Sequence, residues 1–134
     1  MQLNIIKESV DLGLITKDAG NLLKFYRDTL GLELEGEMDM PGGGHMTRLK
    51  CGTTVLKLFV NGKEPAATSA PGGIGGSTGY RYFTISVSNL KEVTDECSAA
   101  GYKIAVPPTE IRPGTTISMI EDPDGNWVEL LQTA

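Results

Sequence analysis

Residues 121–132, EDPDGNWVELLQ, contain a turn followed by a strand. DPDG supplies the turn, because aspartate, proline and glycine favour the backbone angles of tight turns. The strand after it carries one carboxylate, Glu129, between apolar neighbours. Four roles are open for that carboxylate: it ligates a metal, moves a proton, holds a ligand's charge, or only meets water on the outer face of a sheet.

The same pattern occurs earlier in the chain. VLKLF (55–59) aligns with WVELL (127–131), and DLGL (11–14) aligns with YFTI (82–85), at a shift of 71 to 72 positions. An internal repeat of this kind indicates two copies of one supersecondary unit. It is the strongest architectural signal in the sequence.

Each copy has the order β-α-β-β-β. Asp18 and Gly31 are placed to begin and end the first helix, and Asn89, with Glu92 at the capping-box position, and Gly101 do the same for the second. The alternation of apolar residues and the turn residues between them predict strands at about 10–16, 32–38, 44–51 and 54–60, and at 80–87, 102–106, 115–121 and 126–132. PPTEIRPG (107–114) is expected to be a turn.

The repeat predicts an α+β fold made of two modules. The first βαβββ module covers residues 1–60 and the second covers residues 80–134. Between them, residues 61–79 are rich in Gly, Pro, Ala and Ser, which is the composition of a linker. No Gly-Lys-Ser/Thr follows these glycines, so they do not form a phosphate-binding loop.

The doubled unit, KFYRDTLGLEL (24–34), Ala-Ala-Gly (99–101) and the closing strand EDPDGNWVELLQ together resemble the vicinal oxygen chelate superfamily. This superfamily contains glyoxalases, bleomycin-resistance proteins and extradiol dioxygenases, and the resemblance covers about residues 10–132. It implies two βαβββ modules that form a cupped mixed sheet around a ligand cavity. The modules face each other within one chain or are exchanged between two.

The resemblance also implies four positions for a divalent metal, which are Asp11, Lys57, Tyr82 and Glu129 in this sequence. Only Glu129 has the expected residue type. Lys57 as an ammonium has no lone pair for a metal and would repel it by roughly several kcal/mol at an effective dielectric near 20. A tyrosine phenol ionises only near pH 10 in its reference state, which makes a phenolate ligand at position 82 uncommon. We therefore expect no metal and no other cofactor, with a divalent metal as the alternative.

The single histidine and the two cysteines carry reactive side chains, and each has an expected role. His45 is the only histidine, and it follows a Pro-Gly-Gly-Gly turn at a position that is not a ligand in the superfamily, so we expect a solvated turn residue. Cys51 and Cys97 are too few for a disulfide framework. Cys97 lies on the apolar side of the second helix and is expected to be a buried thiol.

Strand alternation places a polar and partly aromatic set of side chains on one face. We expect Lys57 to lie between Asp11 and Glu129, where its charge would replace that of the cation. The alternative is a partly hydrated ion-pair network without chemistry. The residues expected to bind the ligand are Asp11, Lys57, Phe59, Tyr82, Thr84, Trp127 and Glu129.

The leading functional hypothesis is a metal-free protein that binds or sequesters an aromatic or cationic small molecule, as bleomycin-resistance proteins do. Aromatic side chains would stack on the ligand, and a carboxylate would supply the counter-charge. Whether the protein is an enzyme stays open; the alternative is a glyoxalase-like lyase or isomerase in which Glu129 is catalytic and shuttles a proton. A dioxygenase resembles this chain less, because it needs a redox metal, and a non-catalytic accessory subunit is the third alternative.

The charge of the chain disfavours two classes of binding partner. A net charge of -5 and a pI near 4.8 disfavour binding to nucleic acid or anionic membranes. MQLNIIKESV (1–10) lacks the pattern of a secretion signal, so a cytoplasmic location is expected. Its apolar residues, together with exposed sheet edges, predict a homodimer.

Overall fold

A computed structural model describes residues 1–134. The chain divides into two compact units, Met1–Ala66 and Ala67–Ala134. Each unit contains a four-stranded mixed sheet and one main helix. The predicted α+β class and the repeated β-α-β-β-β order are therefore confirmed. No helix in the structure has both the length and the apolar character that a membrane crossing would require.

The first unit has strand order β1-β4-β3-β2. Strand β1 runs parallel to β4, and the other neighbours are antiparallel. The elements are β1 Leu12–Ile15, helix α1 Ala19–Leu23 with a π-helical continuation Lys24–Thr29, β2 Glu33–Asp39, β3 His45–Cys51 and β4 Thr54–Val60.

Helix α1 begins and ends where the sequence predicts. The Asp18 carboxylate accepts a hydrogen bond from the Asn21 backbone N–H at 3.2 Å. The helix widens in its second half, where the Leu30 N–H donates to the Phe25 carbonyl, and it ends at Gly31, whose φ is 81°. A positive φ strains a side chain with a Cβ, which explains the glycine.

The second unit has strand order β5-β8-β7-β6, with β5 parallel to β8. Its topology is thus the same as that of the first unit. The elements are β5 Tyr82–Ser86, helix α2 Leu90–Ala99, β6 Ile104–Arg112, β7 Thr115–Glu121 and β8 Trp127–Thr133.

The prediction of a turn over residues 107–114 is wrong for most of that segment. Strand β6 continues to Arg112, and the reversal occurs only at Pro113 and Gly114. Two prolines are tolerated because β6 is an edge strand with a single neighbour, so the missing N–H groups break no inner ladder. The pairing with β7 shifts register between Val106 and Thr109, around those prolines.

The predicted cap of helix α2 is also wrong in its chemistry. Asn89 precedes the helix, but its side chain makes no capping hydrogen bond. Instead, the Leu90 N–H donates to the Gln132 side-chain oxygen at 2.9 Å. The last strand of the unit therefore caps the helix in place of its own flanking residue.

The core of each unit lies between its sheet and its helix. Alternate residues of β4 and β8 are fully buried on this side, and so is Cys97 of α2, as predicted. Burial raises the pKa of the Cys97 thiol to about 11, with a smaller contribution from the charge of Glu96. The buried strand residues are Leu56, Leu58, Val128 and Leu130.

Candidate functional site

Lys57 and Glu129 hold the same position in the two sheets. Lys57 in β4 lies opposite Gly13 of the parallel strand β1, and Glu129 in β8 lies opposite Thr84 of the parallel strand β5. The strand registers thus agree with the sequence alignment of the two copies. A lysine in the first unit stands where the second unit has a glutamate.

Both residues point away from the helix of their unit. In β4, buried Leu56 and Leu58 alternate with half-buried Lys57 and Phe59. Strand β8 has the same alternation, with Trp127, Glu129 and Leu131 half-buried. We call the two surfaces the Lys57 face of the first sheet and the Glu129 face of the second sheet.

Asp11 has a different partner from the one expected. Its carboxylate accepts hydrogen bonds from Lys7 Nζ at 2.6 Å and from the Val55 backbone N–H at 2.9 Å. The Lys7 contact and then the Val55 contact hold the pKa of Asp11 below its ordinary value, against a small desolvation effect, and the charge of Lys57 contributes least. The direct counter-ion of Asp11 is therefore Lys7, which the sequence did not single out because residues 1–10 show no periodic pattern.

Within its own unit, Lys57 makes no ion pair. Its cross-strand neighbour in β3 is another cation, Arg48. Arg48 Nε is 2.9 Å from Glu35 Oε1, so that its charge is compensated.

On the second sheet, Thr84 donates a hydrogen bond from Oγ1 to Glu129 Oε1 at 2.7 Å. This bond fixes one carboxylate oxygen and leaves Glu129 Oε2 without a hydrogen-bond donor in its unit. Tyr82 and Thr84 are exposed on the same face. Three of the predicted ligand-binding residues, Tyr82, Thr84 and Glu129, are thus neighbours.

Trp127 belongs to the Glu129 face as well, but one side of its indole is covered. Gly73, in a short 3-10 turn at Gly73–Gly75, lies so close that an added Cβ would overlap the ring. Trp127 Nε1 donates to Glu121 Oε1 at 3.2 Å. Arg81 holds the turn in place, donating from Nε to the Gly73 carbonyl at 2.7 Å and from Nη2 to the Ala70 carbonyl at 2.6 Å.

Part of the predicted linker therefore packs on the second sheet. The sequence offered no signal for this contact, because a glycine that makes room for an indole looks like any other glycine in a Gly-rich segment. The sequence likewise contained no signal for the role of Arg81.

His45 lies at the start of β3 and contacts two carboxylates. Its Nδ1 is 2.9 Å from Asp39 Oδ1, and its Nε2 is 3.2 Å from Glu37 Oε1. Both ring nitrogens can donate only in the imidazolium form. The hydrogen bond to Asp39, followed by that to Glu37, raises the pKa of His45 above its ordinary value of 6.5. The residue belongs to a paired strand and not to a solvated turn.

The model of the Glyoxalase/Bleomycin resistance protein/Dioxygenase superfamily matches residues 9–130. The chain belongs to this superfamily. A protein named "Probable lactoylglutathione lyase" from Synechocystis sp. is 28% identical over 123 residues, which cover 87% of this chain and 88% of that protein. A chloroplastic "Probable lactoylglutathione lyase" from Arabidopsis thaliana is 28% identical over 122 residues, 86% of this chain and 33% of that protein, so this chain spans about a third of its length.

Solved structures of the superfamily share the fold. A glyoxalase family protein from Bacillus cereus superposes with a TM-score of 0.83 at 14% identity, covering 98% of this chain and 97% of that chain. A glyoxalase family protein from Enterococcus faecalis gives a TM-score of 0.66 at 22% identity, with 96% of each chain covered.

The residues at the superfamily's metal positions do not fit a divalent ion. In the first unit, Asp11 is engaged by Lys7 and by the Val55 N–H, and Lys57 is an ammonium. In the second unit, Glu129 offers one free oxygen next to Tyr82, a phenol. Neither unit gathers three His, Cys, Asp or Glu side chains into a metal-binding group. That the protein works without metal stays a prediction.

Proposed function

We propose that this member of the superfamily is a small-molecule-binding protein that works without a bound metal. The supporting observation is the equivalence of Lys57 and Glu129 in the two sheet registers. The first unit thus carries a fixed positive charge at a position where metal-dependent members are expected to place an anionic ligand. The ammonium group of Lys57 and a divalent metal ion would both place positive charge at this position, and they repel each other.

The Glu129 face suits an aromatic or cationic group of the ligand. Tyr82 is 49% exposed, and half-buried Trp127 is its neighbour in the strand register and would add stacking surface. Aromatic faces attract other rings and cations, and a carboxylate oxygen without a donor supplies a counter-charge. Glu129 Oε2 is such an oxygen, held in place through the hydrogen bond from Thr84 to Oε1.

The second candidate is a lyase, and the names of the two relatives favour it. In this reading, Glu129 accepts a proton from a carbon next to a carbonyl group and returns it to a neighbouring atom. The hydrogen bond from Thr84 would orient the carboxylate for that transfer. Both candidates use the same residue, and they differ in whether turnover occurs.

Metal content and turnover separate the two candidates. Protein purified without chelator is examined by native mass spectrometry and elemental analysis, and is then assayed for formation or breakdown of lactoylglutathione with and without added divalent metal. A binding protein gives no stoichiometric metal and no turnover. About one equivalent of nickel, zinc, manganese or iron, with turnover that Glu129→Gln abolishes, would establish the lyase instead.

We also propose a homodimer. Several apolar residues of the N-terminal segment are exposed in the single chain, which is costly in water unless a partner covers them. Sedimentation at tens of micromolar tests this proposal, and a monomer at that concentration would contradict it. The exposed residues are Met1, Leu3, Ile5, Ile6 and Val10.

A further inference from the structure

We propose that the Lys57 face of the first sheet is a binding site for an organic anion, a carboxylate or phosphate attached to an apolar body. The inference rests on the proposed function, since Lys57 and Phe59 belong to the expected ligand-binding residues, and it names the chemical class of the group that the first unit binds. It starts from one row of cross-strand neighbours. That row runs across all four strands as Gly13, Lys57, Arg48 and Gly36.

Two cations stand side by side in the middle of this row. Like charges on directly opposite residues of neighbouring strands destabilise a sheet. Lys57 is half-buried, and the Arg48 side chain is only 25% exposed, so water screens the repulsion incompletely. An anion close to both cations would relieve this repulsion.

The chain provides that compensation for one of the two cations only. Glu35 pairs with Arg48 through Nε alone, which leaves the terminal guanidinium nitrogens available as donors. Asp11 pairs directly with Lys7, and the charge of Lys57 is the smallest of the influences on it. Lys50 has Glu33 as its neighbour in the strand register. Lys57 is left without a counter-ion in its unit, in a chain whose net charge is -5.

The two ends of the row leave room for a ligand. Gly13 and Gly36 flank the cations, and an added Cβ at either glycine would meet no atom within 4 Å. An oxyanion above Lys57 and Arg48 therefore meets no side chain from β1 or β2 in this row. It can accept hydrogen bonds from Lys57 Nζ and from the free guanidinium nitrogens of Arg48, and such charge-assisted bonds are the strong ones.

The next row along the same face is entirely apolar, and this defines the rest of the ligand. Side chains on one face of a strand are spaced by two residues, or about 7 Å. An aromatic ring or branched chain attached to the anionic group would span that distance. Two methionines in the row give it an adaptable surface. The row consists of Ile15, Phe59, Met46 and Met38.

Titration of the ¹⁵N-labelled full chain with simple probes tests this inference. Benzoate and phenyl phosphate represent the two anion chemistries, and benzyl alcohol is the matched neutral probe. The backbone amides of Gly13 and Gly36 report on the row. We expect saturable shifts at these amides with both anions, or with one of them if the site selects carboxylate or phosphate. Benzyl alcohol should bind at least about tenfold more weakly than the anions.

Variants separate the charge from the apolar body. Lys57→Met should weaken benzoate binding about tenfold, whereas Lys24→Met, at an exposed lysine of the first helix that makes no ion pair, should leave it unchanged. Ile15→Ala should weaken benzoate but not inorganic phosphate. Thermal unfolding verifies that each variant is folded. Equal binding of benzoate and benzyl alcohol, an unchanged affinity in folded Lys57→Met, or no saturable shift at Gly13 and Gly36 would each overturn the proposal.

Discussion

Gly73 packs so closely against the indole ring of Trp127 that an added Cβ would overlap the ring. The contact joins a glycine-rich segment to the strand that carries Glu129. Arg81 secures it by donating to two carbonyl groups of that segment. One side of the only tryptophan is thus occupied by the chain itself.

Gly73→Ala should displace the turn from Trp127. The methyl group would overlap the ring, and the φ of 55° at Gly73 is unfavourable for alanine. We expect a loss of about 1–3 kcal/mol in the free energy of unfolding and a red shift of tryptophan fluorescence as the indole gains water. Because the chain has a single tryptophan, the signal needs no deconvolution.

Gly75→Ala is the matched control. It lies in the same turn, has no positive φ, and an added Cβ meets no atom within 4 Å. Its stability and fluorescence should equal those of the parent. A Gly73→Ala protein with unchanged fluorescence would show that the turn does not cover the indole in solution.

The parts of the fold that the sequence predicted depend on local patterns. The alternation in VLKLF and WVELL, and the repeat that relates them, are sufficient to place Lys57 and Glu129 at equivalent positions. Two features that the sequence missed depend on distant partners: Gly73 is explained by Trp127, and the start of α2 by Gln132. The pair between Lys7 and Asp11 is local, four residues apart, but it lies in a segment without a periodic pattern.

A tertiary contact of this kind leaves no periodic trace in the sequence. The turn predicted over residues 107–114 was wrong for a related reason. A proline pair usually marks a turn, and only the position of β6 at the sheet edge makes it compatible with a strand.

Gln132→Ala should destabilise the second unit. The substitution leaves the N–H of Leu90, a buried residue, without its acceptor at the start of α2. Losing a helix cap of this kind costs about 1 kcal/mol. Urea unfolding followed by circular dichroism measures the difference in the free energy of unfolding.

Asn89→Ala is the matched control, because the Asn89 side chain makes no capping bond. Its removal should change the free energy of unfolding by less than about 0.5 kcal/mol. A larger effect at Asn89 than at Gln132 would restore the local cap that the sequence predicted.

His45 should titrate above its ordinary pKa of 6.5. Asp39 and then Glu37 stabilise the imidazolium, and desolvation opposes them. A raised folded-state pKa means that the folded state binds the proton more tightly than the unfolded state. The resulting stability is fully present below pH 6.5 and is lost as the pH rises through the folded-state pKa. Proton NMR of the single histidine measures the shift directly.

Variants of the two carboxylates assign the shift in the pKa of His45. Asp39→Asn should lower that pKa more than Glu37→Gln, because the Asp39 contact is the larger cause. Glu37 also interacts with the charge of Arg27, which competes for it. His45→Gln should remove this part of the pH dependence of stability. A His45 pKa at or below 6.5 in the folded parent would contradict the contacts with both carboxylates.

A metal can be introduced by reversing the charge at Lys57. The superfamily implies ligands at positions 11, 57, 82 and 129, and only Glu129 has the expected type. Lys57→Glu combined with Asp11→His and Tyr82→His supplies His and Glu residues at all four positions. It also removes the ammonium group and releases Lys7 from Asp11. We expect calorimetry to detect about one divalent ion per chain in this variant and none in the parent.

The double variant Asp11→His with Tyr82→His, which keeps Lys57, is the control. It should bind the ion far more weakly, because a fixed positive charge close to a divalent cation costs roughly several kcal/mol. Equal and negligible binding by the folded triple variant and the parent would contradict the transfer of the superfamily's ligand positions to this chain.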